Sequence, residues 1–215
     1  AISLLSPDGS RWLTVSADRS RAGTLGSGED GSAIALLRPR HVVAAAFSAD
    51  SSQLGTLHAR VRRRGGSRLL LQLRSAADGK PKPRAVLAPS GSNYLLFSPD
   101  GRLVLAAAER RVTVYRTADA AVLGSFDLPA PLAFVTGCLQ FSPTGTRLLT
   151  ICADGAVYLW SLHTYTQVAR LLHDPAGSPV AGAVYSRDGL RLATYDGVGG
   201  LCVWRAQPGR LEARF

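Results

Sequence analysis

The segment that decides the fold of this chain is Phe141-Ser142-Pro143-Thr144-Gly145-Thr146-Arg147-Leu148-Leu149-Thr150, because versions of it recur along the sequence. The related segments begin with Leu5-Ser6-Pro7-Asp8-Gly9, Phe47-Ser48-Ala49-Asp50-Ser51, Phe97-Ser98-Pro99-Asp100-Gly101 and Tyr185-Ser186-Arg187-Asp188-Gly189. Their serines, at positions 6, 48, 98, 142 and 186, lie 42, 50, 44 and 44 residues apart. A spacing of this size is typical of repeat proteins in which each unit is a four-stranded β-sheet.

The fourth unit illustrates how one repeat is expected to fold. Residues 142–145 place proline before glycine in the order that a tight turn prefers. Residues 148–153 and 156–160 are apolar strand-like runs separated by an Asp-Gly turn, and residues 167–172 form a fourth strand. Because an isolated four-stranded sheet exposes both faces, each unit is expected to stack on its neighbours, and a ring leaves the fewest uncovered sheets.

These units resemble the WD-repeat family. Two segments carry the resemblance, Leu149-Thr150-Ile151-Cys152-Ala153-Asp154-Gly155-Ala156-Val157-Tyr158-Leu159-Trp160, which is similar to the middle two strands of a repeat, and Leu201-Cys202-Val203-Trp204, which repeats its ending. The resemblance implies an all-β, WD-repeat-like β-propeller with about five four-stranded antiparallel blades. It also implies a set of structural residues in the fourth and fifth units, namely Asp154, Trp160, His173, Thr194, Asp196 and Trp204.

The sequence also departs from the family pattern. Trp160 is followed by Ser161 and Trp204 by Arg205, so no unit keeps the terminal Trp-Asp pair. We predict one partial β-propeller domain over residues 1–215, with units at approximately 1–38, 39–88, 89–128, 132–173 and 178–215. Since WD propellers close with about seven or eight blades, the ring is expected to be incomplete and the chain to be a piece of a larger protein.

Composition narrows the class of protein. Hydrophobic residues make up 46% of the chain, which is enough to bury a substantial core, and no apolar run is long enough to cross a bilayer. The three cysteines, Cys138, Cys152 and Cys202, each lie within an apolar strand-like run, which favours buried reduced thiols over disulfides. We therefore expect no membrane association and an intracellular location, in the cytoplasm or cytoskeleton rather than the nucleus.

The sequence offers no constellation that predicts catalysis. His41, His58, His163 and His173 are scattered and there is no Cys-x-x-Cys pair, so we expect no metal site, no cofactor and no catalytic residues. The histidines are interpreted as loop residues, with His173 also a structural candidate. The recurrent turn aspartates each stand alone, as an aspartate does when it caps its own backbone, whereas calcium needs about six to eight converging oxygens. The chain is predicted not to be an enzyme.

Arginine dominates the positive charge. The chain has 25 Lys and Arg residues against 15 Asp and Glu, and only Lys80 and Lys82 are lysine. Guanidinium groups suit carboxylate and phosphate partners, although the composition of a GC-rich gene is an equal explanation. In the family topology, connections from the second to the third strand and from the fourth strand to the next blade emerge on one face. Eleven arginines of the first three units fall on such connections: Arg19, Arg21, Arg38, Arg40, Arg60, Arg62, Arg63, Arg64, Arg68, Arg110 and Arg111.

Such a face predicts acidic partners, and solubility of a repeat protein is the alternative reason for its charge. No aromatic residues are interleaved with the arginines of residues 59–68, which favours an acidic protein surface over nucleic acid. The leading hypothesis is a non-catalytic protein–protein interaction scaffold within a large cytoskeletal, centriolar or ciliary protein that meets acidic surfaces such as tubulin. The alternatives are a propeller of an RNA-processing or ribosome-associated factor and a ubiquitin-ligase substrate receptor.

Overall fold

The computed structural model describes residues 2–15, 23–37, 41–61, 67–135, 137–174, 179–207 and 209–215. Regular secondary structure in these residues is entirely β-strand. The strands are β1 (Ile2–Leu5), β2 (Arg11–Val15), β3 (Gly23–Ser27), β4 (Ala33–Leu37), β5 (Val42–Phe47), β6 (Gln53–Val61), β7 (Ser67–Ser75), β8 (Pro81–Ala88), β9 (Tyr94–Phe97), β10 (Leu103–Ala107), β11 (Arg111–Arg116), β12 (Val122–Asp127), β13 (Leu139–Phe141), β14 (Arg147–Ile151), β15 (Ala156–Ser161), β16 (Thr166–Leu172), β17 (Val180–Tyr185), β18 (Arg191–Asp196), β19 (Leu201–Arg205) and β20 (Arg210–Arg214).

The strands form five four-stranded sheets, each made of four consecutive strands in sequence order. Adjacent strands within the sheets are antiparallel, as in β13–β14 and β14–β15. The predicted all-β fold with five four-stranded antiparallel blades is confirmed. Among the described strands, none from the last sheet pairs with the first sheet.

The middle strands of each blade carry the core. Four of five residues in β14 and five of six in β15 are buried, because these strands are covered on both faces. The fourth strand of that blade is different: most of β16 is exposed and only Leu171 is buried. Each blade is therefore apolar in its middle and solvated along its last strand.

The recurrent turn is closed by its own side chains. In the third blade, the Ser98 hydroxyl donates to Asp100 Oδ1 at 2.6 Å and accepts from the Leu103 amide at 2.9 Å. The Arg102 amide donates to the same aspartate oxygen at 3.1 Å. Gly101 supplies the left-handed backbone, with φ of 68°. These bonds favour the ionised carboxylate, so the pKa of Asp100 lies below its ordinary value although burial opposes the shift.

The chain forms two compact units, Ala1–Ser125 and Phe126–Phe215. In the first unit, neighbouring sheets are joined by apolar clusters that include Leu13 and Leu54 in one and Leu57 and Tyr115 in the other. Lys82 Nζ also donates across sheets, to the carbonyl of Thr117 at 2.9 Å. Among the described residues, no helix has the length and apolarity needed to cross a bilayer.

In the second unit, two polar contacts tie the fourth and fifth sheets together. Gln140 Nε2 donates to the carbonyl of Ala183 at 2.6 Å, and Arg147 Nη1 donates to the carbonyl of Ala206 at 3.0 Å. The Gln140 contact joins the first strands of the two sheets, and the Arg147 contact joins the second strand of one sheet to the last turn of the other. The two sheets are thus joined at two places, between their first strands and between a second strand and the last turn.

One histidine prediction is wrong. His58 does not lie in a loop but within β6, where it is opposite Val42 in β5 and Leu70 in β7, and it is buried. Burial lowers the pKa of His58 to about 4, and the positive charge of Arg74 adds to the shift. No sequence signal indicated its burial, because a single histidine between alanine and arginine is typical of the end of a strand.

Candidate interaction surfaces

The β6–β7 hairpin projects beyond the sheet that contains it. Both strands have nine residues, and their ladder continues through the pairs Arg60↔Arg68 and Val61↔Ser67. The flanking strands stop earlier, because β5 begins at Val42, opposite His58, and β8 ends at Ala88, opposite Leu69. The last two pairs therefore form a two-stranded ribbon without lateral neighbours in β5 or β8.

Contacts between turns fix which end of the first unit this hairpin occupies. The Asp8 amide donates to Ser51 Oγ at 3.2 Å, and Gln53 Nε2 donates to the Gly101 carbonyl at 3.3 Å. The first-to-second strand turns of all three sheets are thus neighbours at one end. Because strands alternate in direction, the ends of β2, β6 and β10 and the starts of β3, β7 and β11 lie together at the opposite end, which we call the basic face.

The predicted partner-binding arginines are described to different extents. Arg110 and Arg111 lie at the β10–β11 turn on the basic face, where both are exposed and Arg111 Nη2 donates to Ser125 Oγ at 3.0 Å. For Arg60 and Arg68 the structure describes the backbone, which places them opposite one another in the projecting ribbon. The remaining seven lie outside the described residues: Arg19, Arg21, Arg38, Arg40, Arg62, Arg63 and Arg64.

The two lysines lie at the other end of the first unit. Lys80 precedes β8 and its Nζ is 3.0 Å from Asp78 Oδ2, while Lys82 lies within β8 and its Nζ donates to Gln53 Oε1 at 2.8 Å. Both lysines therefore lie at the end of the first unit opposite Arg110 and Arg111. Among the described residues, no group of three or more His, Cys, Asp or Glu side chains could hold a metal ion.

The fifth sheet brings four of the predicted structural residues together. Trp204 Nε1 donates to Thr194 Oγ1 at 2.9 Å, and the same oxygen lies 2.8 Å from His173 Nδ1. Since Thr194 accepts from the indole, its own proton is available for Nδ1, which leaves the imidazole Nε2–H directed at Asp196 Oδ2, 3.4 Å away. His173, Thr194 and Trp204 are buried, so the whole chain of contacts is shielded from water.

Asp196 is held by the lengthened turn that follows it. Its Oδ1 accepts from the Gly200 amide at 2.7 Å and from the Val198 amide at 3.0 Å. The Gly200 hydrogen bond is the main reason that the pKa of Asp196 lies below its ordinary value, against the opposing effect of burial. A Cβ at position 200 would come within 2.6 Å of Asp196 Oδ2, so a larger residue there would displace this carboxylate.

The fourth sheet has a shorter version of this network. Trp160 Nε1 donates to Thr150 Oγ1 at 3.0 Å, but Cys152 takes the position that corresponds to Asp196, with its Sγ 3.9 Å from Thr150 Oγ1. Burial raises the pKa of Cys152 to about 11. Asp154 lies in the next turn instead, where it accepts from the Tyr158 hydroxyl at 2.6 Å.

The first two sheets replace the third-strand tryptophan altogether. In the second sheet Arg74, opposite Leu54, takes the position of Trp160 and is buried, with Nη1 donating to the Gly79 carbonyl at 3.2 Å. In the first sheet the position is Gly26, and the ring of Trp12 from the neighbouring strand fills the space. A Cβ on Gly26 would come within 2.1 Å of that ring. Sequence reasoning missed both substitutions.

Comparison with known families identifies one of the repeats. Residues 128–161, which contain β13, β14 and β15, match the WD domain, G-beta repeat. The predicted resemblance to the WD-repeat propellers is confirmed by this match together with the repeated four-stranded sheets. WD repeats support a role as a protein-interaction scaffold, and they are typically non-catalytic.

A second match falls in the first unit. Residues 5–64 match the family described as CAF17, C-terminal beta-barrel domain. In the structure, the described residues of this range belong to two separate four-stranded sheets, β1–β4 and β5–β8. No curated protein matches the chain. The WD match is the one that agrees with the sheet topology.

Replacing the buried threonine with valine is expected to lower stability by different amounts in the fourth and fifth sheets. Thr194→Val removes the acceptor of Trp204 Nε1 and the partner of His173 Nδ1, so we expect the free energy of unfolding to fall by about 2 kcal/mol. Thr150→Val removes one acceptor, and we expect about 1 kcal/mol. Both threonines are fully buried, which makes them matched sites. Urea denaturation followed by circular dichroism measures both, and equal losses would contradict the contribution assigned to His173.

Proposed function

We propose that this WD-repeat chain is a non-catalytic protein-interaction scaffold whose basic face binds acidic segments of partner proteins. The observation that carries the proposal is the β6–β7 hairpin, which extends past both neighbouring strands and carries Arg60 opposite Arg68. Like charges at opposite positions of an antiparallel pair are unfavourable in isolation. An acidic ligand bound to the ribbon offsets that repulsion. The two like charges therefore favour binding of an acidic partner.

The shape of the hairpin also favours a protein partner. A projecting two-stranded ribbon leaves backbone N–H and C=O groups available to an added strand, and its arginines supply charge complementarity. We propose acidic polypeptide segments as the partner class, with the acidic tails of tubulin as the leading example, and hence a cytoskeletal, centriolar or ciliary setting. Buried thiols at Cys138, Cys152 and Cys202 support an intracellular location.

The proposal is tested with a fluorescein-labelled hexaglutamate peptide and the full chain. We expect binding to weaken as salt is raised from about 50 to 200 mM, because the interaction is electrostatic. The variant R62A/R63A/R64A should bind about tenfold more weakly at the lower salt concentration. Fluorescence anisotropy measures both.

A matched control removes three positive charges from the other end of the same unit. Lys80, Arg102 and Arg116 are exposed there, and each lies within 4.0 Å of an aspartate carboxylate. Because such surface pairs contribute little to stability, K80A/R102A/R116A should fold normally and bind hexaglutamate within about twofold of the unmodified chain. Equal losses in the two variants would show that net charge and not the basic face is responsible, and would overturn the proposal. Tighter binding to single-stranded or duplex nucleic acid than to hexaglutamate at equal salt would overturn it in favour of a nucleic-acid role.

A further inference from the structure

A polar groove lies in the second unit, between the fourth and fifth sheets. Its volume is about 550 Å³, and its walls are three turns, 142–146, 186–190 and 205–207. The first two are the recurrent first-to-second strand turns of their sheets, and the third joins β19 to β20. All three occur at the end of their sheets opposite the second-to-third strand connections. The groove therefore shares no residues with the basic face.

One wall of the groove is the single recurrent turn that lacks an acid. In the other four repeats, a serine hydroxyl donates to an aspartate carboxylate two residues later at 2.5–2.6 Å. In the fourth repeat Thr144 stands at the aspartate position. Its Oγ1 lies 3.2 Å from Ser142 Oγ and 2.8 Å from Thr146 Oγ1. Three hydroxyls thus form a row where the other repeats hold a carboxylate.

One hydroxyl proton of this row has no acceptor within the row. Three hydroxyls carry three protons, and the two contacts between them use two of these. Ser142 Oγ also accepts from the Arg147 backbone amide at 3.1 Å, so the buried end of the row already has a partner within the protein. Thr144 and Thr146 are exposed, which leaves the outer end of the row open to the groove. The turn therefore offers a hydroxyl donor to an acceptor that comes from outside.

Arginines supply the groove with positive charge. Glu212 accepts from Arg191 Nε and from Arg205 Nε, both at 2.7 Å, and this bidentate arrangement holds the two guanidinium groups in place. The second acid in the groove, Asp188, is occupied by its own turn, where it accepts from the Ser186 hydroxyl at 2.6 Å. Two carboxylates are thus committed to contacts within the protein.

Arg147 is the third cation of the groove. Its Nη1 donates to the Ala206 carbonyl at 3.0 Å, which fixes the guanidinium between the two sheets. In the part of the chain that the structure describes, this guanidinium makes no ion pair with an acid, and the contact with Ser142 Oγ comes from the Arg147 backbone amide. The guanidinium follows the hydroxyl row directly in sequence. A hydroxyl donor and an uncompensated guanidinium are the two groups that a carboxylate accepts from most strongly.

We propose that this groove binds an aspartate or glutamate side chain of an acidic peptide segment from a partner protein. The carboxylate lies on the groove side of Thr144 and accepts from the Thr144–Thr146 hydroxyl row and from Arg147. A carboxylate is favoured over phosphate because the same backbone turn encloses a carboxylate in the four sister repeats. The repeat that lacks its own acid is completed by one from a partner.

The substitution Thr144→Asp tests the proposal directly, because it supplies the acid from within the chain. We use the full chain with Arg60, Arg62, Arg63, Arg64 and Arg68 all replaced by alanine as the background, so that the charge of the β6–β7 hairpin is removed before hexaglutamate binding at the groove is measured. Thr144→Asp should weaken hexaglutamate binding about tenfold, since the site is then filled and negatively charged. It should also raise the thermal unfolding midpoint by about 2 °C, since the fourth turn gains the hydrogen bonds of its sister turns. Arg147→Gln should weaken binding by a similar factor without the thermal gain.

Thr164→Asp is the matched control. Thr164 lies at the β15–β16 turn of the same sheet, is exposed, and forms a hydroxyl pair with Thr166 at 2.7 Å, but it does not line the groove. It should change hexaglutamate binding by less than about twofold. Equal weakening by Thr144→Asp and Thr164→Asp, or no weakening by Thr144→Asp, would overturn the proposal. Displacement of hexaglutamate by inorganic phosphate, but not by glutarate at equal ionic strength, would overturn the assignment of a carboxylate ligand.

Discussion

Replacement of Trp160 with alanine is expected to lower the free energy of unfolding by about 3–5 kcal/mol. The indole is 4% exposed and stacks on Phe126, with ring centroids 4.4 Å apart and an angle of 22° between the planes. Alanine removes this stacking, leaves a cavity and strands the Thr150 hydroxyl that now accepts from Trp160 Nε1. Urea denaturation of the full chain at pH 7, followed by circular dichroism, measures the loss.

Trp160→Phe distinguishes the contribution of the aromatic ring from that of the indole N–H. Phenylalanine keeps an aromatic surface against Phe126 but has no N–H donor, so we expect a smaller loss of about 1–2 kcal/mol. Trp204→Ala provides a second comparison, because Trp204 occupies the same register position, opposite Leu192, and is also buried. A loss below about 1 kcal/mol for Trp160→Ala would mean that the site relaxes around the missing ring and that the indole is not a main stabilising contact.

Acidification from pH 6.5 to 4 is expected to destabilise the first unit through His58. The folded chain keeps this imidazole neutral, because burial, helped by the charge of Arg74, lowers its pKa to about 4 from the ordinary value of 6.5. The unfolded chain binds a proton near pH 6.5, whereas the folded chain does not until about pH 4. The stability that the neutral His58 allows is therefore fully present above pH 6.5 and declines as the pH falls towards 4. At about 1.4 kcal/mol for each pKa unit, the loss is about 3 kcal/mol.

His58→Gln removes the titrating group while keeping a polar side chain of similar length. We expect the variant to be less stable than the unmodified chain at pH 7, but to lose about 3 kcal/mol less between pH 6.5 and 4. His163→Gln is the control, because it removes an exposed imidazole from the β15–β16 turn and tests whether the effect is specific to the buried histidine. The measurement is urea denaturation at half-unit pH steps. The same pH dependence in His58→Gln and the unmodified chain would contradict the role assigned to His58.

The fold was largely predictable because its signals are local. The Ser-x-Asp-Gly turn is closed by bonds between residues two to five positions apart, such as Ser98 with Asp100 and Leu103. Such bonds depend on residue type and spacing alone, so the turn serine marks the start of the second strand in every repeat, although Ser51 replaces the glycine in the second and Thr144 replaces the aspartate in the fourth. The four-residue network of the fifth sheet followed from the family resemblance, and the structure places His173, Thr194, Asp196 and Trp204 in contact.

The candidate sites were less predictable because they depend on contacts between sheets. His58 and Arg74 are both buried in the second sheet, although polar residues of these types are most often exposed. Thr144 is visible in the sequence as a departure from the repeat, but only the structure shows that Arg147 and the turns of the fifth sheet surround it. Nothing in the sequence indicates that these groups are close in space, because Arg147 and Ala206 are 59 residues apart.

The sequence by itself determined the repeat and the number of strands in each blade, because both follow from short-range periodicity and turn chemistry. Tertiary structure decided which hairpin projects beyond its neighbours, which polar groups are buried and where two sheets leave a groove. The physical reason is that burial and charge proximity are properties of surfaces brought together by stacking, and stacking joins residues that the sequence holds far apart.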